Sequence, residues 1–134
     1  MDNETKKPIR VLVVDDEPAL LDIYTTKLKM EHYDVLTASD GLSGLELALH
    51  ESPDIMLLDV LMPGKDGFDV LRDLRSAPQT KDLPVIILSN LGQEYEVRRG
   101  LSLGANRFLT KADLTPARVA QAVKETLESP KAKG

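Results

Sequence analysis

Three aspartates stand directly after apolar segments of this chain. Asp15 and Asp16 follow a nearly continuous apolar segment at 9–14, and Asp59 follows four apolar residues at 55–58. If these carboxylates lie together they repel one another, by roughly 4 kcal/mol for two charges about 4 Å apart at an effective dielectric near 20. A hard divalent cation with oxygen ligands removes that repulsion. The aspartates therefore predict a metal site for Mg²⁺ (or Mn²⁺).

A hydroxyl group and an ammonium group also follow apolar segments. Ser89 comes after the segment 84–88, and Lys111 stands after 106–109 and one threonine. A metal ion alone requires neither group, but a phosphoryl group does, because each of its equatorial oxygens must be neutralised. A metal ion, an ammonium group and a hydroxyl donor together indicate a site that binds a phosphoryl group.

One of the aspartates must then be the phosphoryl acceptor, since aspartate can form an acyl phosphate. Asp59 is the predicted acceptor, because it is a single carboxylate at the end of the most apolar segment. Asp15 and Asp16 are paired, as metal ligands usually are. Taken alone, each polar residue has a plain structural explanation, such as an acid near a helix start or a solvated lysine. Their joint occurrence favours the phosphoryl site.

The segments that position these residues alternate between two patterns. Continuous apolar runs predict buried strands, and apolar residues spaced three and four apart predict amphipathic helices between them. The predicted strands lie at 9–14, 34–38, 55–58, 84–88 and 106–109, and the predicted helices begin near Pro18, Gly41, Phe68, Gln93 and Pro116. This alternation predicts an α/β fold with a parallel, doubly wound sheet. Five units in one small domain favour the flavodoxin-like (βα)₅ arrangement, with strand order 2-1-3-4-5.

Several of the predicted helices have recognisable faces and ends. In the second helix, Leu42, Leu45 and Leu49 lie on one side. The fourth contains Gly100, which disfavours a helix by about 1 kcal/mol relative to Ala, so this helix is predicted to be the least stable. The pair Thr115-Pro116 suits the N-cap and first position of the last helix.

Composition excludes several classes of protein. The chain has 134 residues, 42% of them apolar, which suits one domain with its own core. Its net charge of −5 argues against a surface for nucleic acid or anionic membranes, and it has no cysteine for disulfides or thiolate metal sites. No apolar run approaches a membrane span or a signal-peptide core. We expect a cytoplasmic domain at 9–128, with a polar lead at 1–8 and a flexible tail or linker at 129–134.

Taken together, these residues resemble the receiver domain of bacterial response regulators, from about Ile9 to Leu127. No single motif is specific, but all of them occur in order: Asp15-Asp16, Asp59-x-x-Met62-Pro63-x-x-Asp66-Gly67, Ser89, Gly104-Ala105 and Lys111. The resemblance implies a two-component signalling protein whose Asp59 receives a phosphoryl group from a sensor histidine kinase or a phosphotransfer protein. It also implies the metal ligands: Asp16, Asp59 and the backbone carbonyl of Leu61, with Asp15 acting mainly through water.

The resemblance further implies a switch. Lys111 would pair with the phosphate, Ser89 would move inward to hydrogen-bond to it, and the ring of Phe108 would follow that movement. A phosphoryl group adds about −1.5 to −2 charges, enough to bias an element that has two arrangements. The responding surface would be the fourth helix, fifth strand and fifth helix, at about 93–127. It would bind a downstream output protein or form a self-dimer.

Two positions depart from the family pattern. The family usually has proline after the lysine, joined by a cis peptide, whereas this chain has Ala112. A cis bond to a residue other than proline costs about 3–4 kcal/mol, so we predict a trans Lys111–Ala112 bond and a rearranged loop. After Ser89 the family mostly has a small residue, whereas Asn90 is larger and polar. Asn90 and Leu61 are expected to line the route by which water reaches the phosphate.

Three other functions share parts of this pattern. A small Mg²⁺-dependent phosphatase with an aspartyl-phosphate intermediate would need a cap domain, and a flavodoxin-like cofactor carrier would need a hydroxyl- and glycine-rich loop after the first strand. A degenerate receiver would serve only as a protein-binding module, which the retained polar residues argue against. We therefore expect a signalling domain that is no enzyme toward external substrates beyond its own phosphorylation and dephosphorylation. Either it acts alone or it is part of a longer chain.

Overall fold

The computed structural model describes residues 7–90 and 93–129. Most of the predicted polar lead, at 1–6, and of the predicted tail, at 130–134, lies outside the described residues. None of the helices in these two ranges is both long and apolar enough to cross a membrane.

Five strands alternate with five α-helices along the described part of the chain. The strands are β1 (Arg10–Val14), β2 (Asp34–Ala38), β3 (Ile55–Asp59), β4 (Val85–Ser89) and β5 (Arg107–Thr110), and the helices are α1 (Pro18–Met30), α2 (Gly41–Glu51), α3 (Gly67–Ser76), α4 (Glu94–Ser102) and α5 (Pro116–Glu128). The predicted strand and helix segments are confirmed to within a residue or two at their ends. A short 3₁₀ turn, Lys111–Asp113, separates β5 from α5.

All neighbouring strands are parallel, and the sheet has the predicted order β2-β1-β3-β4-β5. The register pairs Asp59 with Leu88 and Ser89 with Thr110. Since the strands all run the same way, the residues that end β1, β3, β4 and β5 meet at one edge of the sheet. The α/β fold class is confirmed.

Two layers of side chains cover the sheet, one on each face. One layer packs α2 and α3 against the sheet around residues such as Leu58 and Leu71. The other packs α1 and α5 around residues such as Leu57 and Val123. Because side chains alternate along a strand, Leu57 and Leu58 serve opposite layers. β3 is buried from Ile55 to Asp59, as its continuous apolar pattern predicts.

Helix α2 packs on the sheet mainly through its small residues. Its buried residues are Gly41, Gly44 and Ala48, whereas Leu42 is 57% exposed. A Cβ atom on Gly44 would lie 2.7 Å from a methyl carbon of Val14, so the helix rests almost directly on β1. Gly44 allows this close approach to β1, and a larger residue there would not, whereas Gly41 lies against the backbone carbonyl of Lys65 in the loop before α3. Of the leucines on one side of α2, Leu45 packs against the core, whereas Leu42 points away from it.

Helix ends are capped largely as the sequence indicates. Pro18 occupies the first turn of α1, and the Thr115 side chain accepts a hydrogen bond from the backbone N–H of Arg118 at the start of α5. Asp66 caps α3 in the same way by accepting from the N–H of Asp69 at 3.0 Å. The caps at Asp66 and Thr115 lie in the loops that follow β3 and β5, so they help to fix the geometry of those loops at the sheet edge.

Candidate functional site

The polar groups at the carboxyl ends of β1, β3 and β5 form one cluster at the sheet edge. Asp15 directly follows β1, Asp59 ends β3, and Lys111 follows β5. The side chains of Asp15, Asp59 and Lys111 are 2%, 5% and 7% exposed. Three ionisable groups from distant parts of the sequence are thus brought together and largely withdrawn from water.

The ammonium group of Lys111 lies at the centre of this cluster. Its Nζ is 2.8 Å from Oδ2 of Asp15, 3.3 Å from Oδ2 of Asp59 and 3.3 Å from Oε1 of Glu17. Burial alone would lower the pKa of Lys111, but the carboxylates of Asp15, Asp59 and Glu17 outweigh it and raise the pKa. Lys111 therefore keeps its positive charge at every physiological pH.

The pKa of Asp59 is raised to about 6. Burial is the main cause, the negative charge of Asp15 adds to it, and Lys111 opposes both. The carboxylate is still mostly ionised at pH 7 and above, as an attacking nucleophile must be. Lys111 therefore only partly offsets the combined effect of burial and the charge of Asp15 on this carboxylate.

The three aspartates predicted as metal ligands do converge. Asp15, Asp16 and Asp59 can each place one carboxylate oxygen within 4.8 Å of the others, and Asp16 is the most exposed of them. An oxygen-only ligand set, partly open to water, suits Mg²⁺, which keeps several of its waters and uses one or two carboxylates. Burial is the main reason for the raised pKa of Asp59, and the negative charge of Asp15 is the second; a divalent cation would neutralise that second contribution. The residues present therefore fit the ion.

The loop after Asp59 turns back tightly toward the strand. A Cβ atom on Gly67 would overlap the carbonyl oxygen of Asp59, so only glycine fits where α3 begins. The N–H of Gly67 donates to the carbonyl of Val60 at 2.9 Å, which closes the loop. This geometry explains the Asp66-Gly67 pair physically: one residue caps the helix and the next lets it approach the site. Leu61, within the loop, is 57% exposed.

Ser89 and Asn90 lie at the end of β4. Ser89 is fully buried beside Thr110, the last residue of β5, whereas Asn90 is exposed. The roles predicted for Ser89 toward a phosphate, and for Asn90 and Leu61 in water access, stay predictions.

Phe108 lies in β5 beneath helix α4. A Cβ atom on Gly100 would lie 3.0 Å from a ring carbon of Phe108 and 2.9 Å from the terminal methyl of Ile87. The missing side chain at Gly100 thus makes room for the aromatic ring. This packing links the end of β5 to α4, and the switch role predicted for Phe108 stays a prediction.

Within the described residues no peptide bond is cis, so the Lys111–Ala112 bond is trans, as predicted. Lys111 opens the 3₁₀ turn Lys111–Asp113, in which the N–H of Leu114 donates to the carbonyl of Lys111 at 3.1 Å. The departure from the family at Ala112 therefore does not remove Lys111 from the site.

Glu17 is a member of the cluster that the sequence analysis did not single out. Its side chain contacts Lys111, whereas the pattern of charges suggested only an acid near the start of α1. The one signal in the sequence is its place directly after the two aspartates. Which way that side chain points depends on the backbone at the start of α1, which the sequence pattern does not reveal.

Comparison with known proteins identifies the family of the chain. The family model described as the response regulator receiver domain matches residues 11–124. A putative response regulator from Chloroflexus aurantiacus has the same fold, with a TM-score of 0.85 and 32% identity, covering 92% of this chain and 100% of that chain.

Two curated relatives extend well beyond the matched region. The response regulator PleD of Caulobacter vibrioides is 46% identical over 102 residues, which are 76% of this chain and 22% of PleD. The DNA-binding dual master transcriptional regulator RpaA of Synechocystis sp. is 42% identical over 102 residues, which are 76% of this chain and 42% of RpaA. The chain thus spans less than half the length of either relative. Since the family model covers most of the sequence, we conclude that this chain belongs to the response regulator receiver domains of two-component signalling.

Proposed function

We propose that Asp59 accepts a phosphoryl group from the phosphohistidine of a sensor histidine kinase or a phosphotransfer protein. A carboxylate oxygen of Asp59 attacks phosphorus, the phosphorus–nitrogen bond of the phosphohistidine breaks, and its electron pair stays on the nitrogen. The imidazole leaves as the neutral ring with one proton, which water supplies if the other ring nitrogen does not already carry it. The product is an acyl phosphate on Asp59. Water later attacks the phosphorus and releases inorganic phosphate, which restores the carboxylate.

The observation that carries this proposal is the Lys111 ammonium 3.3 Å from the Asp59 carboxylate at the buried end of the central strand. A cation in this position neutralises the negative oxygens of a transferring phosphoryl group. A lysine held by surface carboxylates alone would be solvated, whereas this one is 7% exposed. The buried cation next to a single nucleophilic carboxylate is what distinguishes an acceptor site from an acidic patch.

Mg²⁺ (or Mn²⁺) is the cofactor we propose, held by Asp16, Asp59 and the backbone carbonyl of Leu61, with Asp15 acting mainly through water. When bound, the ion supplies positive charge to phosphoryl oxygens. Lys111 supplies the second positive charge, and the fixed loop around Gly67 holds Asp59 in place. The buried position of Asp59 limits the access of bulk water to the acyl phosphate.

Phosphorylation is proposed to act on the face formed by α4, β5 and α5. The Ser89 hydroxyl moves toward the phosphate, and the ring of Phe108, which packs against Gly100 in this structure, follows that movement. The changed face then binds a downstream output protein or a second copy of the chain. On this proposal the domain does not turn over external substrates, acts in the cytoplasm, and contacts neither nucleic acid nor membrane directly.

Intact mass spectrometry after incubation with acetyl phosphate and Mg²⁺ tests the acceptor and the metal together. We expect wild-type protein to gain the mass of one phosphoryl group, and Asp59→Ala to gain none. EDTA should abolish the gain, because the phosphoryl oxygens then lack a divalent cation. Asp54→Ala, which removes an aspartate just before β3 rather than at its end, is the matched control and should be labelled like wild type.

Three results would contradict the proposal. Labelling of Asp59→Ala to the wild-type extent would place the acceptor elsewhere. No labelling of wild-type protein by acetyl phosphate or by a phosphorylated histidine kinase would favour a degenerate binding module. Sustained release of phosphate from an external phosphomonoester would instead support a small phosphatase.

A further inference from the structure

Lys111 is shared among three carboxylates, and one of them differs from the other two. Asp15 and Asp59 are buried, whereas the side chain of Glu17 is 55% exposed at the mouth of the site. Asp15 and Asp59 belong to the proposed metal and acceptor site. Glu17 has no part in it, yet its Oε1 lies as close to the Lys111 ammonium as the acceptor does, at 3.3 Å.

The backbone of Glu17 is held by a hydrogen bond that does not involve its side chain. Glu17 is the N-cap residue of α1, but its side chain makes no capping hydrogen bond. Its backbone N–H donates to Oδ1 of Asp15 at 2.9 Å. A substitution of the Glu17 side chain therefore leaves the bond to Asp15 intact and removes only the carboxylate that faces Lys111.

A single ammonium group cannot form equally close ion pairs with all the negative groups at this edge of the sheet. A phosphoryl group on Asp59 adds negative oxygens that require Lys111. Glu17 offers Lys111 a competing carboxylate and also carries a negative charge near the incoming phosphoryl group. Both effects act against the binding of phosphoryl oxygens to Lys111.

We propose that Glu17 is a positioning residue for Lys111 that competes with the phosphoryl group on Asp59 for the ammonium. The inference rests on the proposed phosphoryl acceptance by Asp59 and concerns how strongly the site holds that group. Glu17 thereby makes the phosphorylated form less stable relative to the unphosphorylated form.

The same arrangement has the opposite effect on a metal ion alone. The oxygens of Asp15 and Asp59 that face Lys111 belong to the carboxylates that could approach a divalent cation. When the oxygens of Asp15 and Asp59 bind the metal ion, Glu17 remains as a partner for Lys111. The negative charge of Glu17 also attracts the metal ion. Glu17 therefore favours Mg²⁺ and disfavours phosphoryl oxygens. General damage to the site would weaken the binding of both.

The test uses isothermal titration calorimetry on the whole chain with two probes. One is Mg²⁺ alone, and the other is beryllofluoride, a stable mimic of the phosphoryl group, in saturating Mg²⁺. The variants are Glu17→Gln, which removes the charge, and Glu17→Asp, which keeps the charge but is one methylene too short to reach Lys111. Asp22→Asn, an exposed position on α1, removes one negative charge away from the site.

For Glu17→Gln we expect the beryllofluoride dissociation constant to fall about two- to fivefold, the range for one partly exposed ion pair. The Mg²⁺ dissociation constant should rise or stay unchanged. Glu17→Asp should tighten beryllofluoride binding in the same direction, because the contact is lost. Asp22→Asn should match wild type for both probes.

Weaker beryllofluoride binding by Glu17→Gln, or wild-type binding by both Glu17 variants, would overturn the inference. So would Asp22→Asn tightening the binding as much as Glu17→Gln, or Glu17→Asp behaving as wild type, because the effect would then be one of net charge. These results leave the proposed function standing. If wild-type protein binds no beryllofluoride and is not labelled by any phosphodonor, the proposed function itself fails, and this inference fails with it.

Discussion

The carboxylate of Asp59 is ionised at neutral pH at a cost in stability. Its pKa in the folded protein, about 6, lies above the ordinary value of 3.8 because of burial and the charge of Asp15. The folded protein therefore favours the neutral form. The stability that this preference contributes is present in full below about pH 4 and is lost as the pH rises through 6. A buried carboxylate that is ionised at a cost in stability is expected at a functional site rather than in a structural core.

Replacing Asp59 with Asn should stabilise the metal-free protein at neutral pH. One pKa unit corresponds to about 1.4 kcal/mol, so we expect the free energy of unfolding to rise by about 1–3 kcal/mol at pH 7.5. The gain should shrink at pH 4.5, where wild-type Asp59 is mostly protonated. Urea unfolding in EDTA at the two pH values measures it. A gain of equal size at both values would show that packing, not charge, is responsible, and Asp22→Asn controls for the loss of one charge.

At the scale of single elements, α2 and α4 both use glycine where a side chain would not fit. In α2, Gly44 brings the helix backbone onto Val14 of β1, and in α4, Gly100 leaves room for Phe108. The surroundings differ, however. Val14 is buried in the sheet, whereas Phe108 is half-buried and lies next to a helix whose buried residue is Gly100. We infer that α2 is fixed and that α4 is held more loosely.

Gly44→Ala should destabilise the protein although alanine favours helices by about 1 kcal/mol over glycine. Its Cβ would lie 2.7 Å from one methyl carbon of Val14 and 2.9 Å from the other, and such overpacking typically costs about 1–3 kcal/mol. We expect a net loss of about 1–2 kcal/mol in chemical denaturation. Leu42→Ala on the exposed side of the same helix should change the stability by less than about 1 kcal/mol. A larger loss of stability for Leu42→Ala than for Gly44→Ala would instead indicate that the leucine side of α2 packs against the core.

Helix α4 should open more readily than α5 and respond more strongly to phosphorylation. Gly100 disfavours α4 by about 1 kcal/mol, and α5 buries five residues, Val119, Ala120, Ala122, Val123 and Thr126. Amide hydrogen exchange should therefore be faster in α4 of the unmodified protein. On addition of Mg²⁺ and beryllofluoride, exchange should change in α4 and β5 more than in α5. Equal protection of both helices, unchanged by the additions, would contradict a switch at this face.

At the scale of the whole molecule, the site is a product of the parallel sheet. The carboxyl ends of all five strands reach one edge, and a group bound there contacts loops from several parts of the chain. A ligand that binds only the folded protein stabilises it by mass action. Mg²⁺ at this edge should therefore stabilise the entire fold and not one loop.

Adding Mg²⁺ should raise the melting temperature, with a gain of about 2.7 kcal/mol in the free energy of unfolding at a hundred times the dissociation constant. Asp16→Asn should remove most of the gain, because it deletes a proposed ligand that lies outside the Lys111 contacts. Differential scanning calorimetry in Mg²⁺ and in EDTA, at matched ionic strength, measures both. A wild-type gain reproduced by NaCl would show that ionic strength, not a bound ion, is responsible.

The fold and the aspartates and lysine that meet at the sheet edge could be predicted because their signals are local in the sequence. Four apolar residues before Asp59 indicate a buried strand, and the alternation of strand and helix patterns leaves few topologies for a small domain. The trans bond at Ala112 follows in the same way from the absence of proline. The contact of Gly44 with β1 could not be predicted. Hydrophobic periodicity identifies leucines as the residues that face a core, and it carries no information on how closely two backbones approach.

The order of the strands, the residues at their ends and the family of the chain can all be inferred from the amino-acid sequence alone. Those depend on periodicity and on the residue types next to each turn, which are properties of neighbouring positions. The side chains that share Lys111 are seen only in the folded protein, where Glu17 contacts it together with Asp15 and Asp59. The reason is physical: the residues that meet at the edge are separated along the chain by up to 96 positions, from Asp15 to Lys111. The directions of their side chains depend on how the loops fold back onto the sheet.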